Sequence, residues 1–269
     1  MSSSHLGTAL ITGASAGIGA TYANRLARRG FDLLLVARDR ERLEQLAAEL
    51  RGAAGVRVEV LRADLTRTDE LRAVETRLRN DPSISLLVNN AGITAPRLLA
   101  TADPDRLEAA VALNITALTR LAAAAAASFV TRKHGTIINL ASVLALAPEL
   151  TSAVYAGSKA YVVAFTQALH QEAHASGVRV QAVLPGLTRT EIWERSGVDV
   201  NTLPQEKLMH VDELVDAALA GLDQGELITI PSLPDAADWS AFEAARHKLG
   251  PNLSHRHAAA RYRNTPTAA

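Results

Sequence analysis

The sequence predicts an α/β fold, a doubly wound parallel sheet of about seven strands with helices on both faces. Three observations lead there. Seven short runs rich in aliphatic and β-branched residues recur along the chain, and longer amphipathic stretches separate them. The short runs are apolar throughout rather than alternately, as strands covered on both faces must be. The 269 residues would allow one large or two small α/β domains, and no change of composition marks a linker before residue 232.

The first strand is read in LGTALI (6–11), followed by a helix in ATYANRLARR (20–29) with Gly30 as its C-terminal cap. DLLLVA (32–37) is the second strand, RERLEQLAAEL (40–50) the second helix and VRVEVL (56–61) the third strand. A helix in DELRAVETRLR (69–79) leads to the fourth strand, ISLLVN (84–89). An alanine-rich helix, TRLAAAAAASF (119–129), precedes the fifth strand GTIINL (135–140). The long helix AYVVAFTQALHQEAH (160–174), with Gly177 after it, leads to VRVQAVL (178–184), and ELITIP (226–231) closes the sheet. From PSLPDAADW (231–239) onward there is one more helix candidate and a polar, basic tail. Residues 1–232 are therefore read as the main α/β domain, and 233–269 as a C-terminal helical extension and polar tail of the same domain.

Composition removes several function classes. With 28 basic and 28 acidic residues and a pI of about 7.1, no electrostatic case exists for nucleic acid or an acidic membrane. The absence of cysteine excludes disulfides, zinc–thiolate sites and cysteine catalysis together. The start lacks a basic segment followed by a long apolar core, so no signal peptide is read. The longest apolar run, LAAAAAASFV (121–130), is short for a membrane span, and Arg120 precedes it. A soluble, cytoplasmic protein is expected. His255 and His257 lie in the polar tail without acidic partners, and no metal site is expected.

The residues that carry chemistry sit at predicted strand ends or, for one pair, on a predicted helix face. TGASAGIGA (12–20) follows the first strand, its Gly13, Gly17 and Gly19 allowing a tight turn and a close approach of backbone N–H groups to a diphosphate. Arg38 ends the second strand, where a guanidinium suits a ribose 2′-phosphate and a carboxylate would suit a free 2′-hydroxyl. Asp64, in ADL after the third strand, can accept from an adenine amino group. In YAGSK (155–159), Tyr155 and Lys159 share a helix face. A tyrosine hydroxyl titrates near pH ~10, so a nearby cation is what would bring it into use at neutral pH.

TGASAGIG (12–19), NNAG (89–92), Asn114, Ser142, YAGSK (155–159) and the Pro185–Gly186 pair occur in that order. Together they resemble the short-chain dehydrogenase/reductase family over residues 5–232. The resemblance implies a Rossmann-like sheet and a catalytic set of Asn114, Ser142, Tyr155 and Lys159. Ser142 would hold the substrate oxygen, Tyr155 would move its proton, Lys159 would hold the nicotinamide ribose and, beside the oxidised nicotinamide's own charge, lower the Tyr155 hydroxyl, and Asn114 would order a water leading to the lysine. Cofactor contacts are implied for Gly13, Ser15, Ala16, Gly17, Ile18, Gly19, Arg38, Asp64, Leu65, Asn90, Ala91, Gly92, Tyr155, Lys159, Pro185, Gly186, Thr188 and Thr190.

The expected activity is an NADP(H)-dependent interconversion of a carbonyl and a secondary alcohol, with NADP(H) preferred over NAD(H) because of Arg38. Two alternatives stay open: a cofactor-binding, redox-sensing regulatory protein, and an NAD-dependent alcohol dehydrogenase. Val143, Leu144, Leu146, Leu187, Ile192 and Trp193 suggest an apolar substrate body. By resemblance, the chain forms a homodimer or homotetramer with the Ala122–Ala127 helix at an interface.

Overall fold

The computed structural model describes residues 6–195 and 199–263, and the chain divides into two compact units, Met1–Pro231 and Ser232–Ala269. The first unit is built on β1 (Thr8–Thr12), β2 (Asp32–Ala37), β3 (Val58–Arg62), β4 (Ile84–Asn89), β5 (Gly135–Leu140), β6 (Val178–Val183) and β7 (Ile228–Thr229). They form one sheet in the order β3-β2-β1-β4-β5-β6-β7, every pair parallel. In register, Leu10 lies opposite Leu34 on one side and Leu87 on the other.

This pairing explains why the strands read as unbroken apolar runs. Ala9, Ile11, Leu33, Leu35, Leu86 and Val88 enter one core, and the residues between them, Leu10, Leu34, Val36 and Leu87, enter another. The first core is closed by α1 (Gly17–Arg28), α2 (Arg40–Ala54) and α8 (Val211–Asp223), which supply Leu26, Leu43 and Leu219. The second is closed by α3 (Thr68–Asn80), α5 (Leu118–Arg132) and α6 (Ala153–Ala173), which supply Leu78, Phe129 and Leu169. The strand order reverses between β1 and β4, and ligands of open α/β sheets bind beyond the carboxyl ends at such a reversal.

Several expectations are corrected. The last strand keeps only two residues and pairs with β6 through Ala182–Ile228 and Val183–Thr229. The long helix begins at Ala153, because the Ser152 hydroxyl caps it by accepting from Tyr155 N at 3.3 Å. Two helical stretches were not read from the sequence: α8, and α4 (Pro104–Val111) running through a π-helical segment (Ala112–Ala117) into α5. The continuous helix Pro104–Arg132 is long and apolar enough, by length and composition, to cross a membrane, unlike the shorter run read from the sequence. Its apolar side is committed to the core through Leu118, Leu121, Ala122, Ala124, Ala125 and Phe129. Within Ala122–Ala127, Ala123 and Ala127 are exposed, Ala126 is half-buried and the rest face the core.

The second unit carries α9 (Ala236–Lys248), capped by Asp235 accepting from Ala237 N at 2.8 Å, and α10 (Ala260–Arg263). Trp239 and Phe242 stack one turn apart along α9 with centroids 5.2 Å apart. The predicted tail continues over 264–269, outside the described residues, as do 196–198 of the loop after β6.

Candidate active site

The turn between β1 and α1 is shaped by close approach. Gly13 has φ +65°, and a Cβ there would lie 2.8 Å from Asn90 Nδ2 and 3.0 Å from Ala91 Cα. A Cβ on Gly19 would run into the Gly13 carbonyl. The end of β4 fastens this turn. Asn90 Nδ2 donates to the Thr12 carbonyl at 2.9 Å and to the Gly13 carbonyl at 3.2 Å. The backbone N–H groups of Asn90 and Ala91 both donate to Thr12 Oγ1 at 3.0 Å. At the start of α1, Ala16 offers no side-chain cap, so among the described residues the first-turn N–H groups of Gly17 and Ile18 have no capping side chain. Such a helix terminus carries partial positive charge and suits a diphosphate. Ser15, Ala16, Gly17 and Ile18 are all partly accessible.

On the neighbouring strands, Arg38 is exposed directly after β2 and makes no ion pair among the described residues. Asp39, the residue expected to oppose a phosphate there, is turned to α2: it accepts from Arg42 N at 3.1 Å and pairs with Arg42 Nε at 3.5 Å. Burial pushes the Asp64 carboxyl up, but hydrogen bonds from Thr66 and the charges of Arg38 and Arg62 outweigh it and hold the carboxyl below its ordinary value. One Asp64 oxygen takes the Thr66 hydroxyl at 2.7 Å and the Thr66 N–H at 3.0 Å, while the other accepts nothing among the described residues. Leu65 beside it is buried.

The four expected catalytic residues converge from three elements. Asn114 lies in the π-helical segment, where the widened turn suits a functional position. Its Oδ1 accepts from Ile93 N at 2.9 Å, and its Nδ2 donates to Ile93 O at 2.9 Å and to Ser158 Oγ at 3.2 Å. Gly92 brings this amide to the lysine: a Cβ there would sit 3.3 Å from Asn114 Oδ1 and 3.6 Å from Lys159 Nζ. Ser142 follows β5, its Oγ accepting from Leu144 N at 3.2 Å and donating to the Pro185 carbonyl at 3.4 Å. Lys159 is 7% exposed and donates to the Leu140 carbonyl at 2.9 Å. Its ammonium lies 5.7 Å from the centre of the Tyr155 ring.

In the chain by itself, burial dominates the electrostatics of this pair. Burial raises the Tyr155 hydroxyl above its ordinary value, and a hydrogen bond with Ser142 pulls it part of the way back. Burial also lowers Lys159, from 10.5 to about 8. In the chain by itself, therefore, Lys159 does not bring Tyr155 down; Ser142 is the group that opposes the burial.

The loop after β6 completes the site. Thr188 Oγ1 donates to the Gly186 carbonyl at 3.1 Å, and Thr188 pairs with Met209 in an isolated parallel bridge. The Trp193 indole N–H donates to the Thr188 carbonyl at 2.7 Å, which makes Trp193 an anchor as well as the apolar wall expected of it. Thr190 leans on the phosphate turn, with its Cβ and methyl 3.4 Å from where a Gly17 side chain would begin. Sequence reasoning missed three supporting groups: Thr12, Ile93 and Ser158. Thr12 opens the glycine motif and could have been read with it; the roles of Ile93 and Ser158 depend on the π-helical turn and leave no sequence signal.

Known proteins share this sequence pattern and fold. A family model described as short chain dehydrogenase matches residues 7–201. A short-chain dehydrogenase from Sphingobium yanoikuyae, solved in complex with NADPH, is 54% identical with a TM-score of 0.93, covering 95% of this chain and 99% of that one. The bulky-bulky ketone specific alcohol dehydrogenase from Comamonas testosteroni is 47% identical with a TM-score of 0.89, covering 96% and 99%. Human 17-beta-hydroxysteroid dehydrogenase type 3 is 34% identical over 197 residues, 72% of this chain and 63% of the human protein. The chain thus spans less than two thirds of that relative's length.

Proposed function

The chain belongs to the short-chain dehydrogenase/reductase family, and from that premise we propose that it is an NADP(H)-dependent oxidoreductase interconverting a carbonyl and a secondary alcohol. The observation that carries this reading is the polar corner in which buried Ser142, Lys159 and Asn114 meet the half-buried Tyr155 near the carboxyl ends of β4 and β5. A regulatory protein that only sensed the cofactor would have no use for Ser142 within reach of the tyrosine hydroxyl.

The residues present suit a nicotinamide dinucleotide. Lys159 uses one N–H on the Leu140 carbonyl, leaving a buried ammonium with two donors suited to ribose hydroxyls. The glycine turn with its open helix terminus suits the diphosphate, and Arg38 suits a 2′-phosphate. The Sphingobium relative was solved with NADPH, which supports that preference. When bound, the reduced nicotinamide supplies a hydride to the carbonyl carbon. Tyr155 donates a proton to the carbonyl oxygen in reduction and accepts it back in oxidation. Ser142 Oγ hydrogen-bonds the same oxygen and stabilises the charge developing on it. Asn114, fixed by Ile93 and Ser158 beside Lys159, orders the water through which the proton exchanges with solvent.

The substrate is apolar and bulky. Val143, Leu144, Leu187, Ile192 and Trp193 are only half-buried and Leu146 is 40% exposed, so the core does not consume these surfaces. The Comamonas relative, named for bulky-bulky ketones, supports the same class. Self-association uses the exposed small residues of α5 and α6, Ala123, Ala127, Gly157, Ala160, Ala164 and Ala168. The two helices lie side by side, joined by a 2.8 Å hydrogen bond between Thr119 and Tyr161. A cytoplasmic location suits a chain without cysteine.

A panel of ketones, aldehydes and secondary alcohols, assayed with NADPH and NADH through the absorbance of the reduced nicotinamide, tests the reading. Turnover should be fastest on ketones with two bulky apolar substituents and with NADPH. Tight NADPH binding without turnover of any member would instead favour the sensing protein.

A further inference from the structure

We propose that Arg42 and Glu191 form an ionic clasp that holds the loop after β6 over the cofactor cleft and sets how fast the cofactor leaves. The proposal rests on the nicotinamide-dependent reading above.

Arg42 lies in the first turn of α2, just past Arg38 at the end of β2. Glu191 directly follows Thr190, whose methyl group leans on Gly17 of the phosphate turn. Arg42 Nη1 donates to Glu191 Oε2 at 2.7 Å across 149 residues of sequence. The loop therefore touches the phosphate turn through Thr190 and the adenosine side through Glu191. Any nucleotide lying between the glycine turn and Arg38 has this link beside it.

Arg42 is also prepared for the contact. Asp39 caps its N–H and pairs with its Nε, so the side chain is oriented before Glu191 arrives. Both partners remain solvated, with side-chain exposures of 46% and 42%. An exposed pair shifts an equilibrium by about five-fold at most. That is too little to matter for folding the domain, and it is the right scale for the opening of one loop. Because Glu191 and Asp39 neutralise Arg42, it is a poor second ligand for a 2′-phosphate, whereas Arg38 carries no such pair among the described residues.

The test is release of bound NADPH and of bound NADH, followed by stopped-flow fluorescence on mixing with excess oxidised cofactor. Arg42→Gln and Glu191→Gln should each speed release of both cofactors by about two- to five-fold at low salt. The charge-exchanged double variant, Arg42→Glu with Glu191→Arg, should release more slowly than either single variant, short of the parent rate because the new carboxylate at position 42 would face Asp39, and a merely structural role would give no such recovery. Added salt should bring the parent towards the single variants. Faster release of NADPH alone in Arg42→Gln, with Glu191→Gln neutral or slower, would make Arg42 a phosphate ligand and overturn the clasp. Equal rates in all four proteins would overturn it too. A failure of the underlying reading looks different, because the parent would then bind neither cofactor or turn over no substrate.

Discussion

Replacing Lys159 with methionine should make the cofactor-free protein more stable near neutral pH while abolishing its chemistry. The lysine is 7% exposed, and burial alone lowers it from 10.5 to about 8. A displacement of that size corresponds to about 3 kcal/mol of charging cost in the folded state. Methionine fills a similar volume without the charge but leaves the Leu140 carbonyl without its 2.9 Å donor, a loss of about 1–2 kcal/mol. The variant should therefore gain about 1–2 kcal/mol at pH 7, read from urea unfolding. The pH dependence carries a sharper signature. Between the folded value of about 8 and the ordinary 10.5, the unfolded chain holds a proton that the folded chain lacks. Raising the pH through that window removes the unfolded chain's advantage, so the parent gains stability there, and below it the full cost stands. The variant has no such group, and its advantage should shrink by about 2 kcal/mol on going from pH 7 to about pH 9.5. The difference between the two proteins cancels whatever the tyrosines contribute. A variant no more stable than the parent at pH 7, with the same difference at both pH values, would show that the buried ammonium is compensated and refute the reasoning.

Tyr155→Phe should cut turnover by about 10²–10⁴-fold while leaving NADPH affinity within a few-fold, since the ring stays and only the proton donor goes; turnover within threefold of the parent would remove Tyr155 from its role. Arg38→Asp should weaken NADPH binding by at least about tenfold and leave NADH binding similar or improved, and an unchanged ratio in a titration of both would make Arg38 a surface charge. Ala164→Trp, on the exposed side of α6, should keep the fold and shift the assembly to smaller species by light scattering, whereas Ala124→Trp should overpack a position with no exposure and cost folding itself. A parent that is monomeric at micromolar concentration would refute the assembly reading.

The sheet was legible because burial on both faces writes the strand into composition. β2, β4 and β5 begin and end where the sequence places them. β7 was overdrawn because its two paired residues sit in a longer apolar stretch that only β6 can select. α8 was readable in principle, since Leu214, Val215, Ala218, Leu219 and Leu222 follow a helical period, and it went unread. The alanine run is a different case. Six identical small residues have no periodicity, so nothing in them says which side is buried; Leu121 and Phe129, packed against the sheet, decide it. In the site, residue identities could be read because the glycine turn, Asn90 and Ser142 fall at strand ends and Tyr155 and Lys159 lie four apart on one helix. The polar support of Asn114 could not, because it depends on a π-helical turn.

What the sequence could least supply was the sign of the electrostatics. Tyr155 and Lys159 at helical spacing suggest a cation that lowers a phenol, yet one burial displaces both groups: the tyrosine up, and the lysine down to about 8. At neutral pH this leaves a tyrosine that keeps its proton beside an ammonium still mostly charged. Such a pair stands ready to give a proton to a carbonyl oxygen, the step that reduction requires. Taking a proton from an alcohol requires the phenolate, and the chain's own groups do not stabilise it enough at neutral pH. A second positive charge near the ring would, and of the two nicotinamide states only the oxidised one carries it. Under the proposed activity, the polarity of the catalysis would thus be shared between chain and cofactor, with the buried lysine as one half of it.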